Sequence, residues 1–254
     1  MMLRMGLLCA IVMQLSTASA MAEPGAVIPL EAFFENPTIS EPRLSPNGKH
    51  IAFIFSDNDS QRLFVRGVVG TKSVGLVEFP MREVRLLSVR WANAVRLLLS
   101  GTVSDPNAPD GEPEMTRLYS IDRKRQRLKY LGERWGNRGP AWPTWQARYE
   151  DKIINLLPSD SRNVLISHLE FGQRTPTVSR LNITSGRLRT RLSAGQGIGE
   201  WYADRDGNVR VAEATGHPGG GGSYNLLART RVDRELKSVF RSDGSRGTRY
   251  RFVG

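Results

Sequence analysis

The sequence predicts an all-β protein built from four-stranded antiparallel modules, and three observations carry that expectation. Past residue 38, apolar residues alternate with polar ones at a period of two, and no helix-length 3.6-residue pattern appears. The short β-rich runs are punctuated by Gly, Asn, Asp, Ser and Pro, and they fall into groups of four. Within each group the first two runs are joined by the same kind of turn.

The first group is Ile39–Leu44, His50–Ser56, Arg62–Val68 and Ser73–Phe79, with Ser45-Pro46-Asn47-Gly48 as its opening turn. Asn tolerates the left-handed conformation and Gly has no Cβ to clash, so tight reversals collect both. The second group is Val84–Trp91, Val95–Thr102, Thr116–Ile121 and Leu128–Leu131, turning at Ala92-Asn93. The third is Lys152–Leu157, Asn163–Leu169, Thr177–Ile183 and Arg187–Leu192, turning at Pro158-Ser159-Asp160-Ser161. The fourth is Gly199–Ala203, Val209–Ala214, Tyr224–Val232 and Leu236–Phe240, turning at Asp204-Arg205-Asp206-Gly207. Third runs also match, Arg117-Leu118-Tyr119-Ser120-Ile121-Asp122 against Arg180-Leu181-Asn182-Ile183-Thr184. A seventeenth run starts at Thr248–Val253.

Four antiparallel strands repeating about every 45 residues are the signature of a β-propeller blade, which must lean on its neighbours to bury both faces. The expected fold is therefore a partial propeller spanning 39–254, with blades at about 39–80, 84–132, 151–193 and 199–241 and a fifth begun at 248–254. A β-sandwich with accidental regularity and a closed four-bladed ring are the competing architectures. An open arc of blades leaves apolar end faces, so the isolated chain is expected to associate or to be poorly soluble.

Residues 1–22 read as a signal peptide: Arg4, then the apolar Met5–Leu15, then Ala18-Ser19-Ala20 and Ala20-Met21-Ala22. Residues 23–38 form a leader containing Ile28-Pro29-Leu30-Glu31-Ala32-Phe33-Phe34. The expected location is periplasmic or secreted, with no stable membrane span. The single cysteine, Cys9, falls inside the signal, so a mature chain has no thiol for a disulfide, a nucleophile or a zinc site.

The net charge is +11, which invites a nucleic-acid reading. The basic residues are scattered instead along alternate positions, as in Arg187-Leu188-Arg189-Thr190-Arg191, the pattern of a solvated sheet face, and nucleic acid is not an expected partner. No cofactor is expected. His50 and His168 lie in strand-like runs and His217 in a loop, with no second ligand beside any of them, so no metal site is expected. Gly216–Ser223 lacks the Lys-Ser/Thr of a phosphate loop, and Asp204-Arg205-Asp206-Gly207-Asn208 lacks the distal Glu of a calcium loop, because Thr215 stands there. Glu112 and Glu114 lie in an acidic insert, and a carboxylate can hold an ammonium group; a solvated loop is the plainer reading. Trp135, Trp142 and Trp145 read as packing residues, with a ligand groove as the alternative.

The run Leu44-Ser45-Pro46-Asn47-Gly48-Lys49-His50-Ile51-Ala52-Phe53 resembles the SPDGKxIAF blade motif of TolB-type propellers and of prolyl oligopeptidase family serine peptidases. The leader, Val89-Arg90-Trp91-Ala92-Asn93 and Arg117-Leu118-Tyr119-Ser120-Ile121-Asp122 lean toward the peptidases. That resemblance implies an N-terminal propeller that gates and orients peptide substrates for a C-terminal α/β-hydrolase domain. The hydrolase would carry a Ser nucleophile on a G-x-S-x-G elbow. This chain has no such elbow; Asp243-Gly244-Ser245-Arg246-Gly247 lacks its first glycine. No catalytic residue is therefore assigned, the substrate-binding residues are left open, and the chain is expected to be the front part of a peptidase. A TolB-like envelope binding propeller is the alternative.

Overall fold

The computed structural model describes residues 38–103, 115–132, 150–169, 175–192, 197–215, 223–230 and 235–242. The expected signal peptide, all but the last residue of the leader and the run at 248–254 lie outside the described residues.

Among the described residues sixteen strands form four four-stranded antiparallel sheets, each a meander in chain order. Sheet 1 holds β1 (Ile39–Leu44), β2 (His50–Ser56), β3 (Ser60–Gly67) and β4 (Ser73–Pro80). Sheet 2 holds β5 (Val84–Trp91), β6 (Arg96–Val103), β7 (Met115–Asp122) and β8 (Leu128–Tyr130). Sheet 3 holds β9 (Lys152–Asn155), β10 (Asn163–His168), β11 (Thr177–Asn182) and β12 (Leu188–Leu192). Sheet 4 holds β13 (Ile198–Ala203), β14 (Val209–Thr215), β15 (Tyr224–Ala228) and β16 (Lys237–Ser242). This is the architecture of a partial β-propeller.

Burial on both faces of the middle strands shows how the sheets stack. In β6, Leu97 and Leu99 join the core shared with Ala52, Ile54 and Leu63 of sheet 1. Leu98, between them, joins the core shared with Val164 and Ile166 of sheet 3. Side chains alternate across a strand, so one run of three leucines serves two interfaces. In β10 the split repeats: Val164 and Ile166 face sheet 2, while Leu165 packs with Trp201, Val209 and Ala212 of sheet 4. The first strands of neighbouring sheets touch, β1 with β5 and β9 with β13.

Each first strand also carries an irregularity against its second. Between Ser40 and Arg43, at Leu87, at Ile154 and at Gly199, the first strand holds one residue more than its partner. Such bulges bend a strand and sharpen its twist. In β1 the bulge places Glu41 at φ 54°.

The opening turns are built alike in sheets 1 and 4. Gly48 N–H donates to Ser45 O at 2.9 Å and Gly207 N–H to Asp204 O at 2.9 Å, with both glycines at positive φ, 68° and 80°. Two expected strands end two or more residues early. β9 stops at Asn155, because the Asn155 side chain takes the Leu157 N–H at 2.6 Å and Leu157 adopts φ 49°. β15 stops at Ala228 instead of running to Val232.

Val69 in the β3–β4 turn and Val74 of β4 are exposed, and on sheet 4 Val239 and Phe240 are exposed. No helix among the described residues is long and apolar enough to cross a membrane.

Candidate functional site

The outer edge of sheet 2, against the segment that leads into β9, holds a buried ion pair. Arg117 of β7 and Glu150, just before β9, are 3% and 5% exposed. The Arg117 Nε lies 3.8 Å from Glu150 Oε2, and the hydroxyl of Tyr130 donates to that same oxygen. Gly132 makes this approach possible, since a Cβ there would overlap both the Tyr130 hydroxyl and the Glu150 carboxylate. Burial, reinforced by the Glu150 charge, pushes the Tyr130 hydroxyl well above its ordinary pKa, so it stays a donor. Burial also raises Tyr119, whose ring lies 5.7 Å from that of Tyr130 and 5.7 Å from that of Phe79.

The next residue, Asp151, borders a cleft of about 460 Å³ lined by Ser88 and Arg90 of β5, Leu98 and Ser100 of β6, Leu118 of β7, and Lys152 and Ile153 of β9. Its two carboxylate oxygens accept hydrogen bonds from Ser100 Oγ and Thr116 Oγ1. Lys152 forms an ion pair with Glu200 of β13. The cleft thus presents a positioned carboxylate beside an apolar wall, with Lys152 paired to Glu200, and the carboxylate can accept from a hydrogen-bond donor of a small polar ligand.

None of this supplies a nucleophile with its base. Ser100 donates to a carboxylate, and the contact of Ser179 Oγ with His168 Nε2 at 2.9 Å is sealed inside sheet 3 with Ser179 wholly buried. His50 starts β2, and its ring centroid is 6.4 Å from that of Trp91. Burial, then Arg123 and Lys49, lower its pKa. Among the described residues no group of three His, Cys, Asp or Glu could hold a metal.

The Asp204–Asn208 segment is a turn. Asp204 accepts the Asp206 and Asn208 amides at 3.1 and 2.8 Å and the Arg210 Nε at 2.8 Å. Partial burial works against the charged form, but the bonds from Arg210 and Asn208 win and hold its carboxyl at about 2. Glu112, Glu114, Trp135, Trp142, Trp145, His217 and residues 216–222 of the glycine-rich stretch lie outside the described residues.

The sequence reading missed Glu150 and Asp151. Their signal was an adjacent acidic pair entering a strand, whose partners Ser100, Thr116, Arg117 and Tyr130 become neighbours only through the pairing of β6, β7 and β8.

Among solved structures, the chain is similar to an oligogalacturonate lyase in complex with manganese, at 12% identity over 82% of this chain and 55% of that one, with a TM-score of 0.51. It is also similar to the acylaminoacyl peptidase of Pyrococcus horikoshii (17% identity, 80% and 32% covered, TM-score 0.49) and to TolB from Acinetobacter baumannii (14%, 79% and 43%, 0.43). At these identities the likeness is one of fold. Peptidases recur among the matches, and the chain spans about a third of the length of the acylaminoacyl peptidases. No known family and no curated protein matches the sequence.

Proposed function

We propose that this chain is the propeller portion of an exported serine peptidase of the prolyl oligopeptidase type, gating and orienting peptides for a hydrolase domain. The observation that carries the reading is the SPNGKHIAF run, which forms the hairpin of β1 and β2 at the head of four meander sheets. The leader and the Val89-Arg90-Trp91-Ala92-Asn93 segment support it. In this reading the Asp151 cleft holds the ammonium end of a peptide, a role open to Glu112 and Glu114 on sequence grounds. The sequence has no G-x-S-x-G elbow, and on this reading the protein works in the periplasm or outside the cell.

Reading the gene beyond Gly254 tests the assignment: further strands followed by a G-x-S-x-G elbow are expected, whereas further strands and a stop leave a TolB-like binding propeller. With the downstream segment attached, Asp151→Asn should raise KM roughly tenfold for peptides with a free amino terminus and leave N-acylated ones unchanged. An equal effect on both classes would contradict the role of Asp151.

A further inference from the structure

A second, larger groove of about 630 Å³ lies where the opening turns of sheets 3 and 4 meet. Its apolar lining comes from Leu157, Leu165, Leu192 and Val209. Arg180, Arg191, Arg205 and Arg229 also line it, against two carboxylates, Asp160 and Asp206. Four guanidinium groups and two carboxylates leave the groove with an excess of two positive charges.

The four arginines are not equivalent. Arg180 is paired with Asp160, yet its Nε is shielded from solvent and donates to nothing among the described residues. Arg229 donates from Nε to Val209 O at 2.7 Å. Arg191, on β12, and Arg205, in the β13–β14 turn, are exposed and have no partner among the described residues. They stand on opposite sides of the joint between the two sheets, each with a full set of donors, over an apolar floor.

The groove is held open by its backbone. Leu157 sits at φ 49°, a conformation a bulky side chain rarely adopts. A Cβ on Gly207 would overlap the Leu157 side chain, so glycine is needed there for space as well as for its φ of 80°. The Asn155 amide pins the neighbouring turn by donating to Asp204 O at 2.8 Å.

We infer that this groove binds an acidic peptide segment, with carboxylates on Arg191 and Arg205 and an aliphatic side chain on the leucine–valine floor. Charge complementarity chooses the acidic character, because Arg pairs carboxylates through two donors at once. The floor chooses a peptide over a bare anion, since inorganic phosphate leaves the apolar surface wet. The inference does not depend on a hydrolase domain, and the groove is separate from the Asp151 cleft.

The test is fluorescence anisotropy on the full chain with a labelled pentapeptide of alternating aspartate and leucine. Saturable binding is expected, weakened roughly tenfold or more by Arg191→Glu with Arg205→Glu and unchanged by Arg85→Glu, an exposed arginine on sheet 2. A lysine–leucine pentapeptide should not bind. Circular dichroism of the variants reports that they remain folded, as surface changes of this kind should allow. No saturable binding, equal binding by the groove variant, or equal loss in the Arg85 variant overturns the proposal. Displacement by inorganic phosphate as effective as by unlabelled peptide, at matched ionic strength, also overturns it and leaves a simple anion site.

Discussion

The joint between sheets 1 and 2 and the joint between sheets 2 and 3 use the same β6 strand from opposite faces, yet they are built differently. The first is a continuous apolar seam running from Ala52 through Leu97 and Leu99 to Trp91. Among its polar ties are Trp91 Nε1 to Arg43 O at 2.9 Å, Arg43 Nε to Val89 O at 3.3 Å, and the Leu86 amide to the Gln61 side chain at 2.6 Å. The second has a smaller apolar core and places Asp151, with Ser100 and Thr116, beside it. Burying charge is unfavourable unless every partner is in place, so a seam meant only to hold sheets together has no use for it. The contrast marks the second joint as the place where the fold gives up adhesion for a polar cleft.

The largest expected effect comes from the seam. Leu99→Ala should destabilise the chain by about 3 kcal/mol, since the side chain is fully buried and the cavity cannot collapse between two sheets. Chemical denaturation reads this directly. Leu98→Ala, buried to 1% on the opposite face, should cost about the same. A loss under 1 kcal/mol for Leu98 would mean that the second joint is not a packed interface.

Next comes the buried pair. Glu150→Gln removes the carboxylate beside Arg117 and should cost about 2–3 kcal/mol, while Glu78→Gln, on the exposed pair with Arg62 of sheet 1, should leave the stability essentially unchanged. Equal costs would remove the distinction between a buried polar site and a surface ion pair.

Smaller still are the turns. Gly207→Ala should cost about 2 kcal/mol and Gly48→Ala about 1 kcal/mol, since both have positive φ but only Gly207 is crowded, by Leu157. Asp204→Ala should cost about 1 kcal/mol at neutral pH. The sign follows from the depressed carboxyl: its contribution is complete above the unfolded value near 3.8 and disappears as pH falls through about 2. The wild type and Asp204→Ala should therefore converge in stability between pH 4 and pH 2, as read by thermal melts.

Much of this architecture was legible in the chain. Alternation is a local property, and Ser45-Pro46-Asn47-Gly48 and Asp204-Arg205-Asp206-Gly207 state their own turns, so the strands and their grouping in fours could be read. Two features could not. The extra residue in each first strand leaves the apolar pattern nearly intact, because Leu87 and Ile154 are themselves apolar. The polar cleft depends on register: Asp151 meets Ser100 and Thr116 only because β6 pairs β7 with Ser100 opposite Leu118 and Thr102 opposite Thr116. Nothing within a few residues of Asp151 announces those partners.

Methyl–methyl NOE spectroscopy of Leu98 and Leu99 tests the stacking of the sheets most directly. These adjacent residues should show disjoint partners, Leu99 reaching the Ala52, Ile54 and Leu63 methyls of sheet 1 and Leu98 reaching Val164 and Ile166 of sheet 3. A Leu98 that sees only solvent, or the same sheet as Leu99, would contradict blade-on-blade packing and with it the cleft at Asp151.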